Sequence, residues 1–153
     1  MRARLFLLAH GRSGDKGDMV NIGVIARRDE WYEVLSRELT AERVRGFLGT
    51  LAHGEVERYE LPNLSALNFL VHEALGGGGS ISLRLDAQGK TYAQALFRMP
   101  LEVPPELESE VRAHWGEGLP EGHLIDDEPG AGAGAGAGPE AGPEAGSDVE
   151  EGL

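Results

Sequence analysis

Residues 9–27, AHGRSGDKGDMVNIGVIAR, hold a short segment of three glycines, two aspartates and a lysine between two aliphatic stretches. The flanks are RARLFLLAH (2–10) and NIGVIAR (21–27). Aliphatic runs bounded by glycine-rich turns read as strands. The chain is therefore expected to open as two strands of opposite direction joined by a charged glycine loop over residues 10–18.

Further along, the periodicity alternates between helix and strand. EWYEVLSREL carries Trp31, Val34, Leu35 and Leu39 on one helical stripe. Thr40, ahead of Ala41-Glu42-Arg43, reads as the N-cap of a second helix through Leu51. EVERYELP (55–62) reads as a strand stopped by Pro62. NLSALNFLVHEAL (63–75) reads as a helix with Leu64, Leu67, Val71, Ala74 and Leu75 on one face, capped by Asn63 and ended by Gly76. After four glycines, SISLRLD alternates Ile81, Leu83 and Leu85 with polar residues, AQG turns, and KTYAQALFRMPLEV returns as a partner strand. PELESEVRAHW spaces Leu107, Val111 and Trp115 by four and closes the series as a short helix.

The order β-β-α-α-β-α-β-β predicts an α+β two-layer sandwich, with helices on one face of a mostly antiparallel sheet. If residues 30–50 form a helical hairpin, strand directions bring GRSGDKGD, Pro62-Asn63 and DAQGK (85–90 as LDAQGK) to one edge. If they form a single helix instead, the strand at 55–62 reverses and that cluster dissolves.

Charge divides the chain. Residues 1–119 carry 17 acids and 14 bases, while residues 120–153 carry 9 acids and no base. Neither part offers the basic stripe that a phosphate backbone requires, so nucleic acid is not an expected partner. From Pro129 on, PGAGAGAGAGPEAGPEAGSDVEEGL has almost no large apolar side chain and cannot offset the entropy of ordering. Residues 1–119 are read as one domain, with its core over 3–104, and residues 120–153 as a disordered acidic tail. The apolar run LFLLA is too short for the core of a signal peptide, and no later stretch is long enough to span a bilayer. A soluble cytoplasmic chain with no membrane partner is expected. With no cysteine, disulfide and thiolate chemistry are excluded.

The glycine loop fits none of the familiar templates. It has no Gly-Lys pair for a phosphate loop, and Gly11, Gly14 and Gly17 are spaced by three rather than as G-x-G-x-x-G. Asp15 stands where a nucleophile elbow needs glycine, and HEALG (72–76) lacks the second histidine of a zinc-protease helix. Asp15, Asp18 and Asn21 could present oxygens to Mg²⁺, but such residues also build turns, and no metal site is assigned. Arg12 and Lys16 balance Asp15 and Asp18, so Lys16 reads as an ion-pairing or carboxylate-binding ammonium rather than a Schiff-base nucleophile. His10 and Ser13 have no orienting acid in view. Asn68 and His72 lie four apart, off the apolar stripe assigned to their segment.

SGDKGD…NIGVIAR, RYELPNLSALNFLVHEALGGG and SLRLDAQGK, in this order and spacing, resemble the small C-terminal domain of the AtuA-like family, the acyclic terpene utilisation proteins. The resemblance covers about residues 3–104. It implies a ferredoxin-like fold and a place beside acyl-CoA carboxylases in the breakdown of terpenoid or branched acyl-CoA compounds. Family members of full length carry a large N-terminal domain, and the resemblance, confined to the small domain, implies that this domain is missing here. The matched positions Ser13, Gly14, Asp15, Lys16, Gly17, Asp18 and Asn21, then Pro62, Asn63, Asn68 and Gly76–Gly78, are the candidate ligand-binding set. Lys16, Asp15 and Asp18 are the catalytic candidates within it. Two readings follow: an accessory module that docks in trans on a separately encoded large domain, or a small enzyme acting on an acyl-CoA or hydroxy-acyl intermediate. A homo-oligomer and a small acyl or anionic ligand are the other partners considered. No cofactor is assigned.

Overall fold

The structure, a computed structural model, describes residues 1–120 and 122–125. Its elements are β1 (Arg2–Arg4), β2 (Ala9–Lys16), β3 (Met19–Ala26), α1 (Tyr32–Glu38), α2 (Ala41–Leu48), β4 (Val56–Leu61), β5 (Ala66–Val71), α3 (Tyr92–Leu96), β6 (Pro100–Glu102) and α4 (Pro105–Trp115). The strands form an antiparallel four-stranded sheet, β2-β3-β5-β4, and a small antiparallel pair, β1-β6. The α+β expectation holds.

Alternation explains the main sheet. Val20, Ile22 and Val24 of β3 and Leu67, Phe69 and Val71 of β5 are buried on the face that meets the helices. On the other face, Ile25, Tyr59 and Leu61 are exposed. The first aliphatic run is not one strand: a 3-10 turn at Leu5–Leu7 divides β1 from β2 and turns Leu5 and Leu7 into the core.

Two sequence expectations fail at this level. Residues 63–75 are not a helix: β5 lies between β3 and β4 and pairs with both. Their apolar spacing satisfies both periods, but the helical stripe omits Phe69, which is fully buried, and includes Leu64, which is 60% exposed. Only the two-residue period buries Leu67, Phe69 and Val71 together. The expected hairpin of 80–86 with 90–103 is also absent. Residues 80–86 form turns, and the partner segment divides into α3 and β6. Tyr92, Ala93 and Leu96 are buried at helical spacing. The Asp86 carboxylate accepts the amides of Lys90 and Thr91 at 2.7 and 2.8 Å just ahead of α3.

Strand register then fixes direction. Ala26 pairs with Ala9 at one end of the sheet, whereas Val56 joins Val71, Val20 and Asp15 at the other. α1 and α2 together carry the chain across. A helix of seven or eight residues is only about 11 Å long, and strands of six to eight span about 20–27 Å, so both helices are needed in series. Thr40 Oγ1 accepts the Arg43 amide at 3.2 Å, as the N-cap reading expected.

The last described residues return to β1. Leu124 bridges Ala3, the Arg4 amide donates to the His123 carbonyl at 2.8 Å, and the Ile125 amide donates to the Arg2 carbonyl at 3.1 Å. The folded region thus runs past residue 119, where the tail was expected to begin. The rest of the expected tail lies outside the described residues. Among the described residues no helix is long and apolar enough to cross a membrane.

Candidate functional site

The SGDKGD segment is strand and turn rather than open loop. Lys16 pairs with Met19, leaving Gly17 and Asp18 as the two-residue connection of β2 to β3, with Gly17 at φ +68°. Asp18 is occupied there. Its Oδ1 accepts the amides of Leu75 at 3.2 Å and Gly77 at 2.7 Å, and its carbonyl accepts those of Ala74 and Leu75. The glycine run is drawn onto the turn so closely that a Cβ on Gly78 would lie 2.7 Å from the Gly17 carbonyl oxygen.

Residues 86–90 close the same end. Lys90 Nζ lies 3.8 Å from Asp15 Oδ1, with the lysine side chain exposed and the aspartate half-exposed. Lys16 Nζ, also exposed, donates to the Asp15 carbonyl at 3.1 Å. The structure therefore brings Gly14, Asp15, Lys16, Gly17 and Asp18 together with Gly76–Gly78 and the DAQGK segment. The carboxylates of Asp18 and Asp86 are engaged by backbone amides. Among the described residues no three His, Asp or Glu side chains gather in a way that could hold a metal ion.

The other candidates are placed elsewhere. Ser13 is on the buried face, where its Oγ accepts the Ala93 amide at 3.0 Å. Asn21 Nδ2 donates to Asn68 Oδ1 at 3.0 Å on the open face of the sheet, beside Gly23. Pro62 and Asn63 belong to a 3-10 turn at the Ala26 end, the end opposite the glycine turn. The expected three-way edge is corrected accordingly: Pro62-Asn63 leaves it because α1 and α2 make one crossing, and the glycine run takes its place.

A concave site lies where the sequence offered no local signal. A cleft of about 340 Å³ opens beside the start of β2, lined by Phe6, His10, Gly11, Arg27, Gln94, Phe97, Arg98 and His123, with Ala9 and Ala93. Gly11 is required there: a Cβ would lie 2.5 Å from Phe97 Cζ and 2.6 Å from the Gly23 carbonyl oxygen. The Arg27 guanidinium sits 5.3 Å from the centre of the Phe6 ring and 4.9 Å from that of Trp115. Its Nε donates to the Phe6 carbonyl at 3.2 Å. Its Nη1 lies 3.3 Å from His10 Nε2. A guanidinium can only donate, so this contact is a hydrogen bond in the neutral His10 tautomer whose Nε2 is bare. Burial, then the charges of Arg27 and His114, holds the His10 pKa below its ordinary value. Burial, then Arg4, does the same for His123. Burial also lowers the pKa of Arg27.

Glu57, at the outer strand β4, forms a second polar cluster. Its carboxylate accepts the Tyr59 hydroxyl and lies 2.5 Å from His72 Nε2. The Tyr59 hydrogen bond, then that of His72, lowers the Glu57 pKa, and the same Glu57 bond raises that of Tyr59. Its members are exposed or half-exposed, and Glu57 and Tyr59 line a shallow open groove with Thr40, Ala41, Glu42 and Arg58.

Residues 3–102 match the family described as the AtuA ferredoxin-like domain. No curated protein and no solved structure matches the chain.

Proposed function

The chain belongs to the AtuA ferredoxin-like domain family, and on that premise we propose that it is an accessory module. It docks on a separately encoded large AtuA-type domain and works, in the cytoplasm, in the breakdown of acyclic terpenoid or branched acyl-CoA compounds. The observation that carries this reading is the segment 80–86. Its alternating aliphatics Ile81, Leu83 and Leu85 are 71%, 102% and 110% exposed. A strand-like alternation with no sheet to join is an element suited to pairing with another chain. Burying three such side chains would stabilise a complex by roughly 5 kcal/mol before the cost of ordering the segment.

The glycine turn weighs in the same direction. Asp18 and Asp86 hold backbone amides, and Asp15, Lys16 and Lys90 remain as a solvated ion-pair group. That arrangement favours a docking role over proton transfer or nucleophilic attack at this end.

The test is co-purification of the full chain with a protein carrying the large domain, followed by size-exclusion chromatography. A stoichiometric complex that the double variant Leu83→Asp, Leu85→Asp weakens about tenfold or more supports the reading. A chain that remains a monomer at micromolar concentration beside the large domain overturns it. So does a chain that associates only with itself.

A further inference from the structure

We infer that the cleft between β2 and α3 binds the carboxylate of a small acid with a short apolar body. This stands on different residues from the docking reading and does not depend on it. Residues 1–119 carry 17 acids against 14 bases, yet among the described residues no Asp or Glu lines this cleft. Two guanidiniums, Arg27 and Arg98, line it instead. Arg27 is held by a carbonyl, an imidazole and two aromatic faces. Neither arginine takes part in an ion pair among the described residues. A partly buried arginine with no counter-charge among the described residues leaves donors open, and a carboxylate matches a planar guanidinium fork.

The remaining walls specify the rest of the ligand. Phe6, Ala9, Ala93 and Phe97 supply apolar surface, and the His123 ring packs at a tilt of 31° against Phe6 with ring centres 4.6 Å apart. Gln94 adds one amide at the rim. A few polar groups converging on an otherwise apolar cavity are the usual form of a small-molecule site. A volume of 340 Å³ is at the small end of the range of about 300–1,000 Å³ for such sites. That limits the occupant to a compact acid. It also argues against a phosphate, which would leave the aromatic walls without a partner.

The experiment is titration of the full chain with isovalerate and with phenylacetate, read by amide chemical shifts. Isovaleramide and inorganic phosphate serve as comparison ligands. The expected result is saturable movement at Gly11, Gln94 and Phe97 with both acids, none with isovaleramide, and at least about tenfold weaker binding in Arg98→Ala. Arg98 is exposed, so this variant retains the wild-type thermal midpoint. Arg27→Lys keeps the charge but loses the planar fork, and is expected to weaken the acids as well. The inference is overturned by no saturation with either acid, by equal binding of isovaleramide, by unchanged affinity in Arg98→Ala, or by phosphate binding as tightly as the acids.

Discussion

The carboxylate of Asp18 holds the amide of Gly77 at 2.7 Å, across a separation of 59 residues. One side chain thereby fastens the β2–β3 turn to the glycine run that follows β5. A residue that reads in the sequence as a charged loop acid is a clamp between two segments.

Replacing Asp18 with Ala is therefore expected to destabilise the fold by about 1–2 kcal/mol, the usual cost of leaving the part-buried Leu75 amide without its charged acceptor and the exposed Gly77 amide to water. Asp18→Asn retains an acceptor oxygen and should lose about half of that or less. Chemical denaturation of the two variants checks the order. Equal loss in both would mean that the charge, rather than the acceptor geometry, matters at this turn.

Gly11→Ala tests the approach of α3 to β2. The added methyl would meet both the Phe97 ring and the backbone oxygen of Gly23. The ring can swing aside, but the carbonyl belongs to the β3 ladder. Overpacking of this kind costs about 1–3 kcal/mol. A thermal midpoint lowered by several degrees is expected. The Gly11 and Phe97 resonances used to follow the cleft should move as well, and an unchanged midpoint would contradict this packing.

Local signals made much of the architecture legible. β3 and β4, α1, the Thr40 cap of α2 and α4 were all readable from short windows, because each declares itself within about ten residues. β5 was not, since Leu67, Val71 and Leu75 fit a helix as well as a strand. Asn63 and Gly76 added plausible helix ends. The discriminating residue was Phe69, buried only in the strand reading. The turn half of the candidate site was legible because Gly14 to Asp18 are contiguous. The cleft was not, because residues 6–11, 27, 93–98 and 123 meet only after the sheet has formed.

Acid sensitivity follows from the two cleft histidines. Both have folded pKa values below the ordinary 6.5, so the unfolded chain takes up protons at a higher pH than the native one. Their contribution to stability is complete above about 6.5 and declines as the pH falls from there toward the folded values. Glu38 and Asp86 act in a lower window. Burial alone would raise both pKa values. Hydrogen bonds outweigh it, from Arg43, the Glu102 amide and Arg37 for Glu38, and from Thr91 and Lys90 for Asp86. Their stabilisation is present above the ordinary carboxylate values and is lost as the pH drops through the folded ones. Thermal melts across pH 7.5 to about 3 should thus decline in two stages. His10→Gln should reduce the first stage to the part His123 supplies and leave the second. A wild-type midpoint constant down to about pH 5 would refute the assignment.

The last prediction separates surface that holds the fold from surface available to a partner. Leu83 and Leu85 are wholly exposed, whereas Phe69 is wholly buried between β3 and β4. Leu83→Ser and Leu85→Ser should each change the stability of the isolated chain by no more than about 0.5 kcal/mol, as surface substitutions do. Phe69→Ala should cost about 3–5 kcal/mol through lost burial and the cavity left behind. Denaturant titration of the three variants gives the comparison directly. Serine variants that fold like the wild type but no longer bind the large domain would place these leucines in an interface. A loss of stability comparable with that of Phe69→Ala would mean instead that residues 80–86 pack within the chain itself, and the docking role assigned to them would fail.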